Sequence, residues 1–464
     1  MSWGHAMRLL LCASLMLGFA GTVSGAQESA QPPSGEPTTY PIDLPTTLRL
    51  AGARNLDVQL ARTAVDEAHA NHTSAIEEFL PSVVPAASYL HHTGRDQRVE
   101  GQLIDVTKHA ESAGVYATAQ ISVGEAVFHS LQSRQLITAA DAGQAAQEQD
   151  TGLAAAQQYF VLVNAGALVN VVSQALAISQ NYEQQLNDAV RIGTAFKGDA
   201  VRVQTQTGRL QLDLTRAKER QRLAATQLTQ TLHLDPLVVL VPAEREPAPL
   251  ALLDSNTRAD ELVRTALEKR PELMRSAALV AAAEEGRKGA LYGPLVPTLG
   301  GQAFAGEFNG GGQLNAGEVN GGVGTTNLDG GPRRDLMVGL SWKIGPGGIL
   351  DLGRIKAARA QLTRAEVNEE KLRDVIEREV VDAYTQVQSL FQQLRDARMN
   401  VSSAEETLRL TRGRKQLGVG IVLEDIQAQQ ELLNARGELV TIVTQLNQAQ
   451  YGLMRSVGAP LRTP

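Results

Sequence analysis

The chain has 464 residues, 43% of them hydrophobic but only 4% aromatic, with 43 basic against 50 acidic residues for a net charge of −7. So few large rings point to burial along alanine and leucine seams instead of a bulky globular core, and the acidic balance argues against a nucleic-acid partner. The single cysteine, Cys12, lies in an N-terminal export segment, which excludes disulfides and thiolate metal sites from the exported chain.

Residues 1–26 read as that export segment, a secretory signal peptide. Arg8 is followed by an apolar run over 9–20, then by the small residues Ser24 and Ala26 before the expected cut. Leu11 is too bulky ahead of Cys12, and Cys12 too early, for lipoprotein processing. Residues 27–45 form a Pro-rich polar leader expected to run extended along a surface. Thr46 or Thr47 is placed to cap a first helix over 48–79, which Pro81 stops. Strands are predicted over 82–92 and 114–124, with a polar surface loop over 93–112 between them. In the second strand Val115, Ala117, Ala119, Ile121 and Val123 alternate with Tyr116, Thr118, Gln120, Ser122 and Gly124, the period of a sheet with one wet face.

A helical stripe follows over 128–192, running from Leu153 through Phe160, Val171 and Tyr182 to Ala189. Gly193 and Gly198 bracket a break. Val203, Leu210, Leu214, Ala217, Ala224 and Leu228 then resume the stripe until LHLDP ends it, giving a helical hairpin. Residues 237–258 are a connector rich in Pro and charge. The order then begins again. A helix over 259–291 is divided at Pro271, which suits a first helical position. Strands are expected over 296–308 and 335–344 around a Gly and Asn loop, 309–332.

The stretch over 350–416 carries the longest seam: Ile355, Ala358, Leu362, Ala365, Leu372, Ile376, Ala383, Val387, Leu390, Leu394, Ala397, Val401, Ala404 and Leu408, interrupted by Glu369 and Glu379. A helix of that length spans roughly 100 Å and needs partners along its narrow stripe. Gly418 and Gly420 break it. Leu423, Ile426, Leu433, Val440, Val443, Leu446 and Leu453 carry a return helix. The plan is thus written twice, as repeat 1 over 46–236 and repeat 2 over 259–460.

No segment beyond the signal holds the ~18 uninterrupted apolar residues of a membrane helix, so any membrane passage falls to the strands. Four strands cannot close a barrel, and three chains would supply about twelve. The expected fold is mainly α with a small β part. Long antiparallel helical hairpins form an α-barrel, four strands per chain enter a trimeric 12-stranded transmembrane β-barrel, and the sequence has an internal two-fold repeat.

The duplicated plan, LPSVVP and GPLVP before the strands, GTAFKGDAVRVQ at the first hairpin and LGVGIVLEDIQAQ at the second resemble the TolC-like outer-membrane efflux protein family. The resemblance covers the whole exported chain. It implies a homotrimer set in outer-membrane lipid with a long periplasmic portion, a passive duct of a tripartite efflux or type I secretion system. The implied partners are a periplasmic adaptor protein and an inner-membrane transporter. It also places Gly193, Thr194 and Asp199 at one periplasmic tip and Gly418, Gly420, Glu424 and Asp425 at the other, as a candidate gate and adaptor contact. Acids gathered there by threefold symmetry would repel one another and attract cations; the simpler reading of Asp199 and Glu424 is favourable charge at a helix N-terminus.

The competing reading is a periplasmic adaptor or coiled-coil scaffold without a pore, which would carry one hairpin instead of two. No cofactor or metal is expected. His69 and His72 share a helix face without a completing ligand, and His91, His92 and His109 flank a polar loop. The Gly-rich run over 310–331 lacks a phosphate-loop lysine, and no nucleophile motif such as GxSxG appears, so an enzyme is not expected.

Overall fold

The computed structural model describes residues 39–97, 101–235, 237–252, 257–315, 325–416 and 421–460. The signal segment, Cys12, most of the leader, Pro236, Gly418 and Gly420 lie outside them.

Strand β1 (Thr39–Ile42) enters helix α1 (Leu44–Arg54). The N-cap is Asp43, not Thr46 or Thr47. Its carboxylate accepts from the Thr46 amide at 2.9 Å, and Pro45 fits the first turn. The single helix predicted over 48–79 is two, because Asn55 ends α1 and starts α2 (Leu56–Glu77). Asn55 Oδ1 accepts from the amides of Asp57 at 2.7 Å and Val58 at 3.4 Å. Residues 259–292 follow the same design, with α5 (Ala259–Lys269), Arg270, then α6 (Pro271–Tyr292) opened by Pro271 as the sequence predicts. Helices α1 and α5 both have 11 residues, and α2 and α6 both have 22.

The long helices are α3 (Val123–Arg191, 69 residues) and α7 (Leu352–Gln416, 65 residues), each about 100 Å long. Their return helices, α4 (Lys197–Thr231) and α8 (Val422–Ser456), have 35 residues apiece. Every predicted seam residue of α7 is buried or half-buried, and Ile376 and Val380 are wholly enclosed. The α8 face differs from its prediction. Leu423 is exposed, while Ala428, Leu432 and Ala435 pack with Ala404 and Leu408 of α7, because small side chains let the two helices approach.

The strands are longer than predicted. β2 (Ser82–Gln97) and β3 (Leu103–Ser122) take in most of the expected loop over 93–112. Polar strand residues there bond across the hairpin, as in the Ser88 and Ser112 hydroxyls 2.8 Å apart and the Lys108 to Asp96 ion pair. Val123 and Gly124 belong to α3. β5 (Thr298–Asn315) and β6 (Thr325–Ser341) extend into the predicted loop over 309–332, and Trp342 and Ile344 follow β6. The four strands form one antiparallel sheet in the order β2-β3-β5-β6, so β3 and β5 join the two halves of the chain. At that seam Gly114 faces Gly306 under the ring of Phe304. A Cβ on Gly306 would sit 2.3 Å from Ala113 O, so the backbones approach as only glycine allows.

A parallel pair the sequence did not announce, β1 with β4 (Val239–Pro242), packs Ile42 and Leu240 into a core with Tyr159, Phe160, Leu162, Leu228 and Tyr451. The connector beyond β4 is laced to α8 by two buried carboxamides. Asn447 accepts from Leu250 N and donates to Ala248 O, Gln450 accepts from Leu252 N and donates to Leu250 O, and all four bonds measure 2.9 Å. Spaced three residues apart, the two side chains stand in for the edge of a strand.

Short helices meet end to end along the long ones. The last turn of α4 ends at Asn55, whose Nδ2 donates to Thr231 O at 3.2 Å. The corresponding junction of α8 with α6 is ionic. Buried Arg270 grips Glu272 at 2.7 Å and also pairs with Glu379, the predicted interruption of the α7 seam. Buried Arg455 pairs with Glu272 and with Asp150 of α3, the latter at 2.7 Å. Glu272 sits at the N-terminus of α6 and Arg455 at the C-terminus of α8, so each charge also complements its helix dipole. Burial disfavours the Glu272 carboxylate, but the hydrogen bonds from Arg270 and Arg455 outweigh it and hold the carboxyl at about 2.

Two measurements check this packing. Glu272→Gln leaves two buried guanidiniums short of an anion and is expected to cost about 3 kcal/mol at pH 7, read as a lower Tm of the detergent-extracted protein. Because the folded carboxyl titrates below its ordinary 4.5, the gap between wild type and variant is full above pH 4.5 and closes as pH falls toward 2. Gln450→Leu leaves Leu252 N and Leu250 O without partners. It should cost about 2 kcal/mol and speed proteolytic cleavage within 243–252.

Candidate functional site

The sheet presents two unlike faces. Val83, Pro85, Ala87, Ala113, Val115, Ala117, Ala119, Ile121, Leu299, Ala303, Ala305, Leu336, Val338 and Leu340 share one by register. Its members on the outer strands are open to the surroundings, Leu336 at 79% and Val338 at 67% exposure. From Ile121 to Ala113 this face runs about 27 Å along the strand, and Tyr89, Glu111, Glu307 and Arg334 end it stepwise across the sheet. Trp342 and Tyr292 mark the opposite border, with Trp342 Nε1 donating to Leu295 O at 3.3 Å. The other face carries Ser112, Tyr116, Thr118, Gln120, Gln302, Phe304, Arg333, Asp335 and Ser341, with Tyr116 stacked 4.5 Å from Phe304. β2 and β6 are the free edges, 16 and 17 residues long.

At the far end of the long helices lie the hairpin tips. Gly193 turns the chain with φ +78°, a conformation that favours glycine. The amide and hydroxyl of Thr194 both donate to Ala189 O, at 2.9 and 3.0 Å, closing the last turn of α3. Asp199 lies in the first turn of α4, 3.3 Å from Arg202. Glu424 and Asp425 occupy the first turn of α8. The N-terminal charge role expected for Asp199 and Glu424 therefore has its geometry.

The two tips form one structure. Val422 and Ile426 of α8 pack against Tyr182, Leu186, Ala200 and Val203 of the α3–α4 hairpin. Asp425 is 3% exposed. Arg412 of α7 approaches its carboxylate to 3.8 Å, and Gln429 Nε2 donates to Oδ2 at 3.2 Å. Arg414 reaches Glu424 at 3.4 Å. Tyr182 stands across from this cluster. Burial pushes its phenol well above the ordinary range, and the charges of Asp425 and Asp199 push it further. A cleft of about 500 Å³ lined by Ile178, Asn181, Tyr182, Gln185, Arg412, Asp425 and Gln429 opens between α3 and α7.

The structure thus brings Asp199, Glu424 and Asp425 into one neighbourhood with Gly193 and Thr194, while Gly418 and Gly420 fall outside the described residues. Tyr182, Arg412 and Arg414 were missed as site residues. Tyr182 was visible only as a seam residue, and the arginines only as last-turn cations of a helix. His72 Nδ1 lies 2.8 Å from Ser133 Oγ and helps dock α2 on α3; His91 faces His109 across β2 and β3.

Comparison with known proteins connects these parts. The family model described as Outer membrane efflux protein matches residues 262–459. No curated protein sequence matches the chain. Among solved structures, a membrane protein from Pseudomonas aeruginosa superposes with a TM-score of 0.73 at 17% identity, over 90% of this chain and 91% of that one. The Campylobacter jejuni CmeC outer membrane channel gives 0.72 at 15% identity, over 95% and 94%. The open state of the Neisseria gonorrhoeae MtrE outer membrane channel gives 0.66 at 15% identity, over 90% and 89%. Residues 262–459 carry the sequence pattern of the outer membrane efflux proteins, and over at least nine-tenths of its length the chain has the fold of these outer membrane channels.

Proposed function

We propose that this protein is the outer-membrane duct of a tripartite efflux or type I secretion system. In this reading it is a homotrimer without enzymatic activity that passes cargo across the periplasm and outer membrane, in contact with a periplasmic adaptor and an inner-membrane transporter. The carrying observation is a four-stranded sheet with one apolar exposed face and two free edges, set on helices about 100 Å long. In hydrocarbon the unpaired amides and carbonyls of β2 and β6 would each cost several kcal/mol, and ring closure removes them all. Pairing β2 of one copy with β6 of the next closes about twelve strands from three copies, with the face of Thr118, Gln120, Gln302 and Asp335 turned to water. The matched lengths of α1 with α5, α2 with α6 and α4 with α8 support a duplicated half, so the helical wall would have six similar staves. A poreless scaffold is not favoured, since it has no use for an apolar sheet face with open edges.

At the tips, Asp425 and Glu424 tie α8 to Arg412 and Arg414 of α7, and Tyr182 holds the neighbouring hairpin against them. We assign this cluster to closure of the periplasmic entrance.

Purified exported chain in detergent should run as a trimer rich in helix and strand, resist alkaline extraction from membranes and conduct ions across planar bilayers. A monomer that washes off membranes would refute the duct. Asp425→Ala removes the acid that faces Arg412 and is expected to raise mean single-channel open time at least about twofold; unchanged gating would remove Asp425 from closure.

A further inference from the structure

Given the duct proposed above, we infer that its periplasmic entrance favours anionic solutes. The sequence alone suggests a ring of acids attracting cations, whereas the relative exposure of the paired side chains supports the opposite sign. Four ion pairs sit at the tips, and in each the arginine is more exposed than its acid: Arg191 77% against Asp188 58%, Arg202 62% against Asp199 27%, Arg414 60% against Glu424 37%, and Arg412 45% against Asp425 4%. Asp425 and, less completely, Asp199 withdraw into the helix packing, while all four guanidiniums face water. Lys197, exposed at the start of α4, adds another positive charge.

Within about 10 Å of the hairpin ends, the described residues 185–203, 410–414 and 421–428 hold five basic residues, Arg191, Lys197, Arg202, Arg412 and Arg414, against four acidic ones, Asp188, Asp199, Glu424 and Asp425. Each chain thus carries one excess positive charge there although its total is −7, and its cations are the more exposed members of the pairs. Three copies gathered around one opening would add their fields there. The solutes favoured are those bearing carboxylate, sulfonate or phosphate groups, with small inorganic anions as the simplest probe.

The test is the reversal potential of the full exported chain in a planar bilayer of neutral lipid under a KCl gradient, at a mean ionic strength near 0.1 M, where the screening length is about 10 Å. The expected result is a chloride over potassium permeability ratio above one. Exchanging both exposed cations, Lys197→Glu with Arg414→Glu, should lower that ratio at least about twofold. Glu424→Gln should raise it, so the two substitutions move the reading in opposite directions and a folding defect cannot imitate the pair. Potassium preference in the wild type, or a ratio unmoved by both changes, overturns the inference while leaving the duct standing. Absence of conductance from the Asp425→Ala form as well as from the wild type overturns the duct and the inference with it.

Discussion

Close approach of helices along one spine is the constraint on which the rest of the structure depends. Helix α3 runs from the sheet to the tip and packs in turn against α2, α6, α4, β4 and α8. Small buried residues help it do so, Ala139, Ala142 and Ala146 toward the sheet end and Ala155, Ala156, Gly166 and Ala167 at the core, interleaved there with the large Tyr159, Phe160 and Leu162. At Gly166 an added Cβ would come within 3.2 Å of Pro242 and 3.3 Å of Gln221, so the connector and α4 both fix the residue size there. An 18-residue window of α3 is apolar enough to cross a membrane by length and composition, and a third of it is buried among these neighbours.

The seams of α3, α4 and α7, the break at Pro271 and the existence of four strands were legible because each is a local period or a single backbone rule. What was not legible depends on partners far along the chain. Asn55 reads as an ordinary polar helix residue until its second bond, to Thr231, comes into view. Strand β1 is four residues whose partner lies 200 positions away. The connector looks like a loose linker because its hydrogen bonds go to Asn447 and Gln450, two side chains that on their own suggest only a polar helix face. The polar ends of β2 and β3 suggest a loop by their polarity, yet pairing with each other satisfies their backbones in water as well as in lipid.

At the tips, sequence supplied the acids and the turns but not their counterions. Arg412 and Arg414 precede Glu424 and Asp425 by roughly a dozen residues, and only the α7–α8 hairpin brings them level. The burial of Asp425 is likewise a tertiary fact. A carboxylate near a predicted turn is expected to be wet, and here Tyr182, Gln429 and the return helix enclose it, so its charge serves cohesion between helices more than the potential outside.

The two end-to-end helix junctions differ in kind, one closed by a neutral carboxamide at Asn55 and the other by five ionised groups around Glu272. In the proposed ring of three chains these junctions would alternate, so a wall nearly sixfold in shape would be only threefold in its response to solvent. Acid or concentrated salt would weaken the ionic junction and spare the carboxamide one, which has no charge to titrate or to screen.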